Sequence, residues 1–143
     1  MEGHRMKYGI VCAALVAVAS LVGHTPEGVA NDYSYLTQHP TIQRLVQLTN
    51  AHRSRMGRAP LALNPVMCAH AQQHANYMAT TGVFAHSGLP YMEVIFQGVT
   101  SADAAVQGWI YSPAHHSILL SGSECGFGYM VSGGRYCWVG VVR

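Results

Sequence analysis

Charge is scarce in this chain of 143 residues, which has eight Lys and Arg against six Asp and Glu and a formal net charge of +2. The basic residues are scattered, which argues against a nucleic-acid binder that works by neutralising many phosphates. No apolar run reaches the ~18 uncharged residues that a membrane span needs. Half of the residues are hydrophobic, which excludes a disordered chain. Length and composition together predict one compact domain.

Several signatures of catalysis are missing as well. His70 and His74 have the spacing of the two metal ligands in H-E-x-x-H metalloproteases, but Ala71 stands where the general-base Glu belongs. No Gly-x-Ser-x-Gly elbow occurs, and adjacency alone does not make Ser87 and His86 a nucleophile and its base. No C-x-x-C pair offers zinc-ligand spacing. We therefore interpret the pair His70 and His74 as structural, and the sequence favours a protein without enzymatic activity.

The first 30 residues are predicted to be a secretory signal peptide. Arg5 and Lys7 precede an uncharged stretch from Tyr8 to Val22, and a small-x-small sequence ends at Ala30. Cleavage after Ala19 and an uncleaved anchor are the alternatives. A signal peptide predicts that the mature protein is secreted, to the cell exterior or to the periplasm.

Three cysteines follow the predicted signal peptide: Cys68, Cys125 and Cys137. An exported protein can form disulfides, but three thiols leave one over, and the sequence does not give the pairing. A two-residue turn at Gly133-Gly134 would pair Met130 with Cys137. That register puts Cys125 far from Cys137 and disfavours a bridge between them.

Helices are predicted in the first part of the mature chain. Residues 31–41 are expected to be an irregular lead-in, and Thr41 is expected to cap a helix that ends about Gly57. Asn64-Pro65 begins a second helix, with Asn as the N-cap and Pro at the first helical position, and this helix ends at Gly82.

The later part of the chain combines two short helices with strands. Ser101 and Ser112-Pro113 are predicted to begin the helices. A short helix or an extended segment is expected around Glu93. From Gly126 the hydrophobic period becomes two, and two such runs around Gly133-Gly134 predict a β-hairpin. Helices followed by strands indicate the α+β class.

Histidine and one isolated acid supply the candidate chemistry. His86 lies in a predicted loop, and Glu93 is the only acid between Asp32 and Asp103. His115 opens a predicted helix, where the helix N-terminus disfavours the protonated imidazole and favours the neutral, metal-binding form. Two imidazoles and a carboxylate are ligands that suit Zn²⁺ or a similar divalent ion with one open position.

Short motifs occur in a fixed order along the chain. They are Leu48 to Arg53 with Gly57, Pro60-Leu61 with Asn64, Ala71 to Ala75, His86-Ser87, Glu93 to Ile95, Ala105 to Trp109 with Ser112 to His115, and Gly126 to Tyr129 with Tyr136 to Gly140. In this order they resemble the CAP superfamily of cysteine-rich secretory, antigen 5 and pathogenesis-related 1 proteins, also called the SCP domain. The resemblance covers residues 42–143 and is closest to short bacterial-type members.

The resemblance implies an α-β-α sandwich with a central antiparallel sheet and a cleft lined by two His and two Glu. By position, His86, Glu93 and His115 match three of those four residues. The fourth, a Glu in longer members, falls at Ser112. We expect the loss of that carboxylate to weaken a divalent-ion site.

A secreted, non-enzymatic binding module is the preferred functional interpretation. Its cleft would be lined by His86, Glu93, His115 and Ser112, with a divalent cation such as Zn²⁺ on the first three. The alternatives are a metal-assisted hydrolase of a peptide, ester or cell-wall substrate, with Glu93 as general base, and a carrier of sterol or lipid. The expected partner is an apolar small molecule or a component of the cell surface or cell wall. Fold-level likeness does not decide between these functions.

Overall fold

The computed structural model describes residues 32–143. The predicted signal peptide, residues 1–30, lies outside the described residues, so its presence stays a prediction. None of the helices within residues 32–143 has the length and hydropathy that a membrane span needs.

Five helices occur in the described residues: α1 (Ser34–Thr37), α2 (Pro40–Arg55), α3 (Pro65–Thr81), α4 (Ala102–Tyr111) and α5 (Pro113–Leu119). The lead-in, expected to be irregular, contains α1. The expected cap of α2 is also wrong, since His39 rather than Thr41 is the N-cap, and the His39 ring accepts a hydrogen bond from the Thr41 amide. Pro40 then occupies the first helical turn, where its fixed φ fits and its missing N–H costs nothing.

The prediction for α3 is confirmed at both ends. The Asn64 side chain accepts hydrogen bonds from the amides of Val66 and Met67, and Gly82 ends the helix in a left-handed conformation at φ 76°. Ser101 caps α4 by accepting a hydrogen bond from the Ala104 amide. Local capping signals therefore fix the helices that flank the candidate site.

Four strands form one sheet in the order β1-β3-β4-β2: β1 (Ala62–Leu63), β2 (Met92–Gln97), β3 (Glu124–Ser132) and β4 (Arg135–Val142). The predicted hairpin register is confirmed, with Met130 opposite Cys137. The segment around Glu93 is the strand β2, which pairs antiparallel with β4. The two-residue strand β1 runs parallel to β3, so the expectation of an antiparallel sheet holds for the three long strands only.

Helices cover both faces of the sheet, which confirms the α-β-α sandwich. On one face α3 lies directly on β3, because a Cβ built at Gly126 would come within 2.1 Å of the backbone of Met67. On the other face α2, α4 and α5 enclose a core in which the rings of Trp109 and Phe127 stack at 6.2 Å. Burial of each such aromatic side chain contributes about 1.5–3 kcal/mol.

Arg53 connects the end of α2 to the end of α5. The residue is only 3% exposed, and its guanidinium donates to the carbonyls of Ala59, Leu119, Ser121 and Gly122. A charge at this depth is tolerated because carbonyl oxygens satisfy its donors. The contact fixes α5 against α2, and α5 carries His115.

Candidate functional site

The centre of the candidate site is a hydrogen-bonded pair, His86 and Glu93. The His86 Nδ1 lies 2.7 Å from the Glu93 Oε1, and the Ser87 amide donates to the same oxygen at 2.9 Å. The Glu93 side chain is only 6% exposed, whereas that of His86 is 60% exposed. When Glu93 is ionised it can only accept, so His86 carries its proton on Nδ1, and its Nε2 is the acceptor of the neutral ring.

The second carboxylate oxygen of Glu93 has no hydrogen-bond partner among residues 32–143. This oxygen, Oε2, is fully buried. Nearly all buried polar atoms in native proteins are paired, so an unpaired one is a candidate for contact with a ligand. In Glu93, therefore, Oε1 has hydrogen-bond partners within residues 32–143, whereas Oε2 can still accept a hydrogen bond from a ligand.

His74 on α3 supports the loop that carries His86. The His74 Nε2 lies 2.7 Å from the Ala85 carbonyl oxygen, and because a carbonyl only accepts, the imidazole donates. His70, one turn earlier, instead contacts the Tyr91 hydroxyl at 3.1 Å. The two histidines have different partners, so they do not act as a pair of ligands for one ion.

His115 and Ser112 approach the edge of β2 from α5. Burial lowers the pKa of His115, and the charge of the neighbouring His86 lowers it further. Burial therefore favours the neutral imidazole at this position, in the same direction as the expected effect of the helix N-terminus. The side chain of Ser112 forms no capping hydrogen bond to α5.

A cavity of about 330 Å³ lies beside this edge. Its lining is mainly apolar and consists of Phe84, Ile95, Phe96, Gln97, Gly108, Ser112 and His115. His115 and Ser112 thus line the cavity, whereas His86 and Glu93 do not, although each lies two residues along the chain from a lining residue, Phe84 and Ile95 respectively. Cavities of about 400 and 420 Å³ lie elsewhere, between α1, α2 and the β3–β4 hairpin and beside α4, and none of the four predicted site residues lines them.

The predicted ligands are not arranged as a formed metal site. Among residues 32–143, no group of three or more His, Cys, Asp or Glu side chains is placed to hold one ion. Glu93 Oε1 is already bonded to His86 and to the Ser87 amide. A metal ion on these residues would require His86, Glu93 and His115 to rearrange.

Sequence reasoning missed a second histidine contact. The Nε2 atoms of His52 on α2 and His116 on α5 lie 2.8 Å apart. Burial lowers the pKa of His52, and His116 and Arg55 lower it further. Nothing in the sequence links two residues so far apart in the chain, and the phenylalanines of the cavity, Phe84 and Phe96, were missed for the same reason.

The three cysteines of the described residues are buried and free. Burial raises the pKa of Cys68 to about 11 and that of Cys125 to about 12. Burial also raises the pKa of Cys137. Thiols in such surroundings stay protonated and are poor nucleophiles.

Comparison with known proteins places this geometry in context. The model of the CAP family, described as the cysteine-rich secretory protein family, matches residues 46–142. A search of curated proteins gives no match. An outer surface protein from Borrelia burgdorferi superposes with a TM-score of 0.63 at 14% identity, over 69% of this chain and 88% of that one.

Two further bacterial structures resemble the chain. An extracellular protein containing an SCP domain from Bacillus anthracis gives a TM-score of 0.55 at 20% identity, over 72% of this chain and 40% of that one. A cysteine-rich secretory protein from Staphylococcus aureus gives a TM-score of 0.51 at 24% identity, over 72% of this chain and 38% of that one. At these identities the likeness is one of fold, and this chain spans about two fifths of each of the two proteins.

Proposed function

Because the chain belongs to the CAP (cysteine-rich secretory protein) family, we propose that it is a secreted binding module without enzymatic activity, whose ligand occupies the cleft beside β2. The observation that carries the proposal is the juxtaposition of a buried, half-satisfied carboxylate at Glu93 with an apolar cavity. A few convergent polar groups at the end of an apolar pocket are typical of a ligand site.

The side chains around the cleft favour binding over covalent catalysis. The cysteines of residues 32–143 are buried, with pKa values raised to about 11 for Cys68 and about 12 for Cys125. The Ser87 hydroxyl accepts a hydrogen bond from the Leu89 amide and is not paired with His86. These contacts offer no activated nucleophile in the described residues.

One observation favours a hydrolase as the second candidate. A carboxylate bonded to the Nδ1 of an imidazole orients the ring and leaves Nε2 to take up a proton, which is how a general base is held in several hydrolases. His86 and Glu93 have this relationship. The hydrolase proposal needs turnover that depends on both residues.

The size of the cavity bears on the lipid-carrier alternative. At about 330 Å³ it lies near the lower end of the range of about 300–1,000 Å³ that ligand pockets occupy. A cavity of this size suits one or two apolar side chains or a small apolar group better than a whole sterol. The binding-module proposal therefore ranks above a sterol carrier.

Secretion and metal binding belong to the proposal as separate parts. The predicted signal peptide supports secretion, as does the likeness to an extracellular protein with an SCP domain. Binding of a divalent ion by His86, Glu93 and His115 stays a prediction, and recognition of a ligand by the cleft does not depend on it.

The proposal is tested by titrating the protein with isolated cell-wall fragments, short peptides and lipid vesicles while recording amide NMR spectra. We expect one class to shift the resonances of Phe96, Ser112 and His115 without being consumed, and Phe96→Ala to weaken that binding. Turnover of any substrate that Glu93→Gln abolishes would establish the hydrolase instead. Shifts confined to residues around Tyr129 would place the ligand outside the cleft and contradict the proposal.

A further inference from the structure

We infer that the ligand of the cleft is an extended peptide, which joins the sheet as a new strand along the free edge of β2. The inference rests on the proposed function, since it specifies what the module binds. It is carried by the backbone of β2 together with the cavity that lies against it.

The register of β2 shows which of its backbone groups are free. The amide of Gly98, the residue after the strand, donates to the Tyr136 carbonyl, and the pairing continues without a bulge from Gln97 opposite Cys137 to Met92 opposite Val142. In an antiparallel pair, residues that hydrogen-bond to the partner strand alternate with residues that point away from it. Even-numbered residues of β2 therefore bond to β4, and the N–H and C=O groups of the odd-numbered residues point outward.

The outward groups belong to Glu93, Ile95 and Gln97. Within residues 32–143, no backbone or side-chain hydrogen bond reaches the main-chain N–H or C=O of these three residues. β2 is the last strand in the sheet order, so among residues 32–143 it pairs with β4 on one side and with no strand on the other. The outward N–H and C=O groups of β2 recur at every second residue, which is the spacing at which another extended chain can form hydrogen bonds with them.

Of the features that usually prevent strand addition, the edge has one, a buried charge, and lacks the others. Natural edge strands are protected by Lys, Pro, bulges or inward-pointing charges. The sequence of β2 is Met-Glu-Val-Ile-Phe-Gln, with neither Pro nor Lys and with regular pairing. Its one charge, Glu93, is buried and bonded to His86. Glu93 and Ile95 are only 8% and 6% exposed, so their outward main-chain groups lack a partner among residues 32–143 at a largely buried position, where polar groups are usually paired.

The cavity lies against this edge and not against one face of the sheet. Three consecutive residues of β2 line it, Ile95, Phe96 and Gln97, and consecutive strand residues point to opposite faces. Only a cavity at the strand edge touches all three. A peptide bonded to Ile95 and Gln97 would direct an apolar side chain towards Phe84 and Phe96, so main-chain bonds would supply affinity and the cavity would supply specificity.

Charge complementarity indicates a basic residue in that peptide. In the described residues, Glu93 pairs with His86 and with no Lys or Arg, and its Oε2 accepts no hydrogen bond. The arginines that have carboxylate partners are Arg44 with Asp103 and Arg143 with Glu124. A Lys or Arg side chain, or an N-terminal ammonium group, next to Glu93 would complete its pairing.

The experiment starts from selection of a random octapeptide library against the full-length protein, followed by synthesis of the best binder. Amide hydrogen exchange then measures whether the peptide protects the outward amides of β2. We expect the Ile95 and Gln97 amides to exchange faster than those of Val94 and Phe96 in the free protein and to be slowed at least about tenfold by the peptide. The Val94 and Phe96 amides, already bonded to β4, should change little. An absence of binders, or protection that does not alternate, would overturn the inference.

Two controls separate backbone pairing from side-chain binding. A copy of the peptide with N-methyl groups on alternate residues keeps its side chains but loses donors, and we expect about tenfold weaker binding for each pair of bonds lost. Gln97→Pro removes one outward N–H and leaves the bonds to β4, whereas Gln97→Ala removes the same cavity-lining side chain and keeps the N–H. We therefore expect Gln97→Pro to weaken binding several-fold more than Gln97→Ala does. Equal affinity for the methylated peptide would contradict strand addition, and this test does not require the Pro variant to fold.

The outcomes also distinguish this inference from the proposed function. If a non-peptide ligand shifts the amide resonances of Ser112 and His115 while no peptide binds, the binding-module proposal is supported and strand addition is contradicted. If the peptide binds with alternating protection and is then cleaved, strand addition stands and the non-enzymatic proposal fails. Protection of Ile95 and Gln97 that rises with protein concentration alone would show that a second copy covers the edge, which also contradicts a peptide ligand.

Discussion

The imidazole of His74 donates a 2.7 Å hydrogen bond to the carbonyl oxygen of Ala85, the residue directly before the exposed His86. His74 itself is buried on α3, so a rigid helix holds one side of the loop while Glu93 on β2 holds the other. The position of His86 is thus set by two elements of the fold. Supporting contacts of this kind determine how precisely a binding group is placed.

Replacing His74 by Ala should increase the mobility of the loop that carries His86 and should destabilise the domain only moderately. The free energy of unfolding should fall by about 1–2 kcal/mol, because the Ala85 carbonyl loses a donor and a buried ring is removed. Amide exchange at His86 and Ser87 should accelerate at least about tenfold. His70→Ala is the matched control on the same helix, since within residues 32–143 the His70 ring hydrogen-bonds to the Tyr91 hydroxyl and not to the Ala85 carbonyl. Equal acceleration in both variants would argue against a specific support by His74.

Local signals in the sequence were sufficient for much of the fold. Asn64-Pro65 and Gly82 determine both ends of α3 because capping and left-handed φ are properties of single positions. The turn at Gly133-Gly134, with φ values of 54° and 76°, sets the hairpin register for the same reason. The predicted cap of α2, Thr41, was wrong. Polar residues stand on both sides of Pro40, and the cap is the one that precedes the proline, His39.

The site required information that the sequence does not carry. His115 and His116 are neighbours in the chain, but His115 lines the cavity beside β2 while His116 contacts His52 on α2. The direction of each side chain depends on how α5 docks, which involves contacts distant in sequence. The family resemblance placed His86 and Glu93 in one cleft, but no local pattern indicated that Phe84 and Phe96 would line a cavity there.

Acid should destabilise the protein in a pH range set by two histidines. The pKa values of His52 and His115 lie below their ordinary value of 6.5, chiefly because the rings are buried. The unfolded chain then binds protons more readily than the folded one, so stability is full above pH 6.5 and falls as the pH drops through the lowered values. Urea unfolding between pH 7.5 and 5 should show this slope, and His52→Gln should flatten it. A stability that rises on acidification would contradict the assignment.

The carboxylates of Asp103 and Glu124 should contribute little to the change in stability between pH 7.5 and 5. Arg44 lowers the pKa of Asp103 and Arg143 lowers that of Glu124, from ordinary values of 3.8 and 4.5. Their stabilisation is therefore present above those values and is lost only at lower pH. Both groups are solvent-exposed, so the contribution is small.

The cysteines should be unreactive in the folded protein. Cys68 and Cys125 have pKa values of about 11 and about 12 and are fully buried, so a thiol reagent at pH 8 should modify them only as the chain unfolds. Mass mapping after alkylation, with and without urea and without reductant, checks this. A Cys68–Cys125 bridge found in the secreted protein would contradict the free thiols of the structure.

Gly108→Ala should narrow the cavity. A Cβ at this position would lie 2.2 Å from the Cε2 of Phe96, so the ring must turn into the space that the ligand would use. We expect a loss of about 1–3 kcal/mol in unfolding free energy and at least several-fold weaker ligand binding. Gly57→Ala is the control: its Cβ meets nothing within 4 Å and its φ is +68°, so it should cost about 1–2 kcal/mol and leave binding unchanged. Equal effects on binding would exclude Phe96 from the ligand site.

Ser112→Glu should strengthen the binding of Zn²⁺. The natural chain offers His86, His115 and Glu93, with Glu93 already bonded to His86, and we expect calorimetry to show only weak binding. A carboxylate at position 112, which lines the same cavity as His115, adds a ligand of the type that zinc accepts. Affinity should rise about 10- to 100-fold and fall again in the double variant with His86→Ala.

Ser112→Gln, which is similar in size but uncharged, should give no gain, because zinc affinity at such a site depends on the added charge. If Ser112→Glu binds no more tightly than the natural chain, these side chains do not converge on one ion and the metal prediction fails, whereas the peptide-binding edge of β2 is unaffected.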